Sequence, residues 1–127
     1  MSFKNGGLYY IPQCSISIPV KDKFAICVSA EDNIFYLVNS CDERRPYAHE
    51  IEYVVYIERH HFKELSHRSY INIKNIKFLP EKDLAKAMEY SIMPNDLWLR
   101  IKSQAATCKT LQGKYKIIIM KQNKFKR

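Results

Sequence analysis

Glycine is nearly missing from this chain, with three in 127 residues. That scarcity excludes a phosphate-cradling GxxxxGK[ST] loop and a GxGxxG dinucleotide turn, which need glycine where backbone amides approach a phosphate. No C-x-x-C pair occurs, and Cys14, Cys27, Cys41 and Cys108 are far apart. They read as four reduced thiols, with Cys27 buried and unreactive inside an apolar run. A G-x-S-x-G nucleophile elbow is absent. No apolar stretch reaches the 18 or so residues that cross a bilayer, so no membrane partner is expected. The opening "MSFKNGGLYYIP" carries no apolar signal core, and the expected location is cytoplasmic. Acidic residues are missing from one region altogether. Residues 97–127 hold nine Lys/Arg and no Asp or Glu, whereas residues 1–96 hold 12 cations and 13 anions. The whole net charge of +8 therefore belongs to the last quarter of the chain. Such segregation suits a polyanion or an acidic protein partner, with Lys102, Lys109, Lys121 and Lys124 as the candidate contacts.

What is present is enough for one packed core: 46% of residues are hydrophobic and 13% aromatic. Residues 1–127 read as a single domain with a β core over 6–79, two helices within 81–111, a final strand over 114–120 and a basic tail, 121–127. Gly6-Gly7 opens a strand over 8–11, and "CSISIP" (14–19) alternates like a second short one. "FAICV" (24–28) and "IFYLV" (34–38) are apolar runs joined by a polar turn, a hairpin. Ile51, Tyr53, Val55 and Ile57 alternate with period two, and 70–73 and 76–79 read as further short strands. Pro80 begins a helix over 81–91 with Glu81 and Asp83 in its first turn. Asn95 or Asp96 is placed to cap a helix over 96–110 whose apolar stripe is Leu97, Trp98, Ile101, Ala105, Cys108 and Leu111. The fold class is mainly β with C-terminal helices (α+β), and short, few strands favour a compact antiparallel barrel.

The hairpin puts Lys21 and Lys23 at the same rim as Asn39 and Ser40, with Arg44 and Arg45 in the next loop. A cation beside a hydroxyl suits metal-free chemistry on RNA, where charge develops on phosphorus and protons must move. Solvated strand ends are the plainer reading of the same residues. His60, His61 and His67 read as exposed loop histidines and not as metal ligands, because no second ligand pair has zinc spacing. No metal or cofactor is expected.

The order "GGLYYIP", "KDKFAICVS", "FYLVNS" and "HRSYINIKNIKFLPEKDL" resembles the PemK/MazF-like toxins over about residues 6–90. That resemblance implies an SH3-like β-barrel with a C-terminal helix. It implies a homodimer that cleaves single-stranded RNA without the ribosome and is held in check by an acidic antitoxin. Lys23 falls where the family has its catalytic arginine, and Ser40 where it has a catalytic threonine or serine. Lysine cannot grip two phosphate oxygens as a guanidinium does, and Phe24 replaces the family's proline. The catalytic cation is then Lys23, Lys21, Arg44 or Arg45, or the barrel persists as a binding module for nucleic acid or an acidic protein. In the first case RNA enters a groove between the loops at 12–23 and 41–50, where Tyr9, Tyr10, Tyr47 and Phe62 offer faces for base stacking.

Overall fold

A computed structural model describes residues 2–41 and 53–122 of the chain. In chain order the elements are β1 (Gly7–Cys14), β2 (Lys21–Ser29), β3 (Ile34–Ser40), β4 (Val54–Ile57), β5 (Ser69–Asn72), α1 (Glu81–Lys86), β6 (Met88–Ile92), α2 (Asn95–Thr107) and α3 (Gly113–Lys121). The strands form one six-stranded antiparallel sheet in the order β4-β5-β3-β2-β1-β6. This is the expected α+β class, with helices gathered toward the C-terminal end.

The apolar runs of β2 and β3 are continuous because the centre of the sheet is covered on both faces. Leu8, Ile26, Val28, Ile34, Tyr36 and Val38 point to one side and pack with Leu97, Trp98 and Ile101 of α2. Tyr9, Ile11, Ala25, Cys27 and Phe35 point to the other and pack with Leu79 and Ala87. Alternation of side chains along each strand sorts them. Cys27 is fully buried, and burial alone pushes its thiol up to about 12, so it is an inert apolar group. All four cysteines are free thiols, as expected. At the start of β1, Gly6 has φ 83, and a Cβ on Gly7 would meet the Tyr9 ring at 2.8 Å and the Lys4 carbonyl at 3.0 Å. Gly6 is thus favoured by its left-handed backbone and Gly7 by the close approach of the Tyr9 ring and the Lys4 carbonyl.

Several expectations are corrected. Residues 14–19 do not continue as a strand after Cys14: they form a loop pinned by Asp83, whose carboxylate accepts bonds from the Ser15 amide (3.1 Å) and hydroxyl (2.6 Å). The stretch 76–79 makes only an isolated bridge, Phe35 to Lys77. The helix expected over 81–91 stops at Lys86, because Met88–Ile92 pairs with β1 and satisfies that strand's outer edge. Pro94, not Asn95 or Asp96, occupies the N-cap of α2. The strand expected over 114–120 is helix α3. Its β-branched run favoured a strand, but Tyr115, Ile118 and Ile119 are the residues that meet the core, a helical spacing, and tertiary packing overrides propensity. Helix α2 ends at Thr107, short of the expected 110, so Cys108 and Leu111 follow it, yet all six residues of the apolar stripe are buried.

Candidate functional site

The rim where β2 begins and β3 ends carries two different sites, one on each face of the sheet. Phe24 pairs with Val38 in the β2–β3 ladder, so Lys23 and Asn39 share one face while Phe24, Val38 and Ser40 share the other. The expected cation–hydroxyl pair is therefore not brought together. The Lys23 ammonium donates to Asn39 Oδ1 at 3.1 Å, and Ser40 faces away from it. A one-residue step along a strand reverses the side chain, and that is the physical reason.

On the first face lies an open basin of about 270 Å³, lined by Lys21, Lys23, Lys77, Asn39, Asn72 and Asn75 together with Ser17 and three aliphatic residues. Among the described residues, no carboxylate lines it. Lys23 is half-buried, and burial first, then the neighbouring Lys21 charge, holds its pKa below lysine's ordinary value. An anion placed here would relieve both penalties. The exposed Ile18, 97% accessible, stands at the lip.

On the second face is a smaller pocket of about 100 Å³, lined by Phe24, Val38, Ser40, Glu64, Leu65, Ser66, His67 and Ser69. Ser40 pairs with Ser69 in the β3–β5 ladder, and the Cys41 amide donates to the Arg68 carbonyl at 3.1 Å. That pairing brings His67 beside Ser40: Nε2 lies 2.8 Å from Ser40 Oγ, and Nδ1 lies 3.0 Å from Ser66 Oγ. Arg68 anchors the segment, with its Nε donating to Glu58 at 3.0 Å and its guanidinium 4.0 Å over the Tyr56 ring. Glu64 is occupied by the Ser91 hydroxyl. Beyond Phe24 the aromatic surface continues into Tyr10 (centroids 5.3 Å apart) and Tyr90 (5.7 Å). The Tyr10 hydroxyl donates to Asp22 at 2.6 Å, which raises the tyrosine's pKa and lowers that of the aspartate.

Of the expected stacking residues, Tyr10 is partly accessible, whereas Tyr9 and Phe62 are buried in the core and cannot stack on a base. Tyr47, Arg44 and Arg45 lie outside the described residues, as do Lys124, Lys126 and Arg127 of the basic tail. Lys102 is half-buried and sits 5.6 Å over the Trp98 ring, while Lys109 and Lys121 are exposed. Sequence patterns did not single out Asn72, Asn75 and Lys77 in the basin or Ser66 in the pocket; His67 is the exposed loop histidine expected, but no chemistry was assigned to it. The only signal for Ser66 and His67 was a histidine with a hydroxyl neighbour in "SHRS", which gains meaning once Ser40 lies against it.

His61 is buried, not the exposed loop residue expected. The Glu58 amide donates to its Nδ1 at 2.9 Å, which leaves the ring proton on Nε2, 3.1 Å from Asp96 Oδ2. His60, His61 and Asp96 bring ligand atoms within 4.8 Å of one another. A cation on His61 Nε2 would force the proton onto Nδ1, against the Glu58 N–H, so the His61–Asp96 bond is a latch between the β4–β5 connection and α2.

No protein-family model matches the chain, and no curated protein matches it.

Proposed function

We propose that this chain binds single-stranded RNA across the β2–β3 rim and cleaves it without a metal, as a toxin-like endoribonuclease held in check by an acidic antitoxin-like protein. The observation that carries the reading is the basin on the first face. Among the described residues, three lysines and three asparagines line it with no acid, and burial and the Lys21 charge hold the Lys23 pKa down there. A phosphodiester supplies the missing charge, and the carboxamides satisfy its remaining oxygens. The aromatic run of Phe24, Tyr10 and Tyr90 on the other face provides surfaces for unpaired bases, a feature of single-strand binders. The resemblance to the PemK/MazF-like toxins supports the cleavage step, the SH3-like barrel and the homodimer. It also assigns catalytic roles to Lys23 and Ser40. The cations of residues 97–127 serve the antitoxin, since among the described residues none of them lines the basin or the Ser40–His67 pocket.

A second reading is favoured by one observation. Lys23 and Ser40 line different pockets, which suits a non-catalytic module that binds nucleic acid or an acidic protein. Incubating the protein with a long unstructured RNA and EDTA separates the two: discrete products support the nuclease, and retained binding with intact RNA supports the module. In either case the basin has its own test. Replacing Lys21, Lys23 and Lys77 by glutamine should flatten the log–log salt dependence of RNA binding by about 0.7 for each phosphate no longer neutralised. An unchanged slope would remove the basin from the interface.

A further inference from the structure

Cleavage of RNA needs a group that moves protons beside the reacting hydroxyl, and Ser40 does not do so near neutrality while Lys23 lies on the opposite face of the sheet. We propose that His67 is the proton-transferring catalytic residue of this site, with Ser40 and Ser66 as its positioning residues; this rests on the RNA-cleaving reading above. The imidazole stands at the mouth of the second pocket, exposed, with Nε2 2.8 Å from Ser40 Oγ and Nδ1 3.0 Å from Ser66 Oγ. Both partners are hydroxyls, each able to donate or accept. The neutral ring can therefore carry its proton on either nitrogen without losing a hydrogen bond. A base held by a third group, within reach of the reacting hydroxyl, is the arrangement that proton-transfer chemistry requires. Arg68, fixed by Glu58 and Tyr56, keeps the adjoining backbone in place. Phe24 walls the pocket and leads to Tyr10 and Tyr90, so a base stacked there brings its ribose toward His67.

The 2′-hydroxyl of that ribose takes over the position in which Ser40 holds Nε2. Its proton passes to Nε2 as the 2′-oxygen attacks phosphorus, and the bond from phosphorus to the 5′-oxygen breaks. A solvent water protonates the departing 5′-oxygen, and the resulting hydroxide recovers the proton from the imidazolium. The products are a 2′,3′-cyclic phosphate and a 5′-hydroxyl, and the ring returns to its neutral state.

The test measures single-turnover cleavage of an end-labelled single-stranded RNA in EDTA across a range of pH. It compares the parent with His67→Ala, His67→Gln and the control His60→Gln. Both His67 variants should cleave at least about 100-fold more slowly, the lower end of what a positioned acid–base contributes. They should lose one limb of the pH–rate profile and keep RNA affinity within about threefold, and added imidazole should partly restore His67→Ala. His60→Gln should match the parent. A parent that cleaves, with His67 variants within about threefold of it, overturns the role of His67 and leaves the nuclease reading standing. A rate loss matched by lost affinity and not rescued by imidazole overturns that role too. A parent that cleaves no RNA overturns the nuclease reading and the role of His67 with it.

Discussion

His61 and His67 lie six residues apart on the same connection between β4 and β5, yet the fold treats them oppositely. His61 is buried between a backbone amide and Asp96, which together permit one tautomer. His67 is exposed between two hydroxyls, which permit both. The ring is the same. What differs is whether its partners can exchange the roles of donor and acceptor, and that decides whether an imidazole is a rivet or a proton carrier.

Replacing the two histidines should sharpen that contrast most. His61→Ala should destabilise the fold by about 3 kcal/mol in urea denaturation, because it empties a buried site and strands the Glu58 amide. His67→Ala should stay within about 0.5 kcal/mol of the parent. Equal costs would erase the distinction.

Next in size is the effect of acid on stability. Burial, the largest influence, lowers the His61 pKa below histidine's ordinary value, with the Asp96 bond working against it. The unfolded chain then takes up a proton that the native ring resists. Stability from His61 is full above about pH 6.5 and falls as pH drops through that value toward the lowered folded one. His61→Gln should flatten this step. A separate loss should appear below about pH 4. Asp83 is buried, which opposes its charge, but the Ser15 bonds and Lys86 hold its carboxyl below the usual range. Its contribution is present above the unfolded carboxylate value and lost as pH falls through the folded one. Asp83→Asn should shrink that second step and leave the first, the remainder belonging to Asp22 and Asp96, whose carboxyls are also held low. A single acid transition untouched by either variant would contradict both assignments.

The smallest expected effect concerns thiol chemistry. Cys27, raised by burial and walled in by the sheet, should resist thiol reagents in the native protein, while the partly exposed Cys41 reacts more readily. Equal labelling of the two would contradict the burial of β2 on both faces.

Much of the fold was legible in the residues. The hairpin of β2 and β3 announced itself through two apolar runs around a polar turn, and the α2 stripe through its helical period. Both are local patterns dense enough to outvote their surroundings. Residues 88–92 and 113–121 were not legible. The first was short and had helical spacing of its own, yet an open edge on β1 recruited it as a strand. The second was β-branched but met the core through residues one helical turn apart. At the site, the hairpin pattern brings Lys21, Lys23, Asn39 and Ser40 to one rim, and the face each occupies follows only from the ladder register.

Composition and order along the chain determined that this protein is β-rich, keeps Cys27 inside an apolar strand and holds all of its excess positive charge in its last quarter. Those properties belong to segments, and segments carry them wherever they fold. Which side chains meet was decided by the tertiary structure alone. Ser40 and His67 are 27 residues apart and become partners because Ser40 pairs with Ser69 across the sheet, a long-range register that no local pattern encodes.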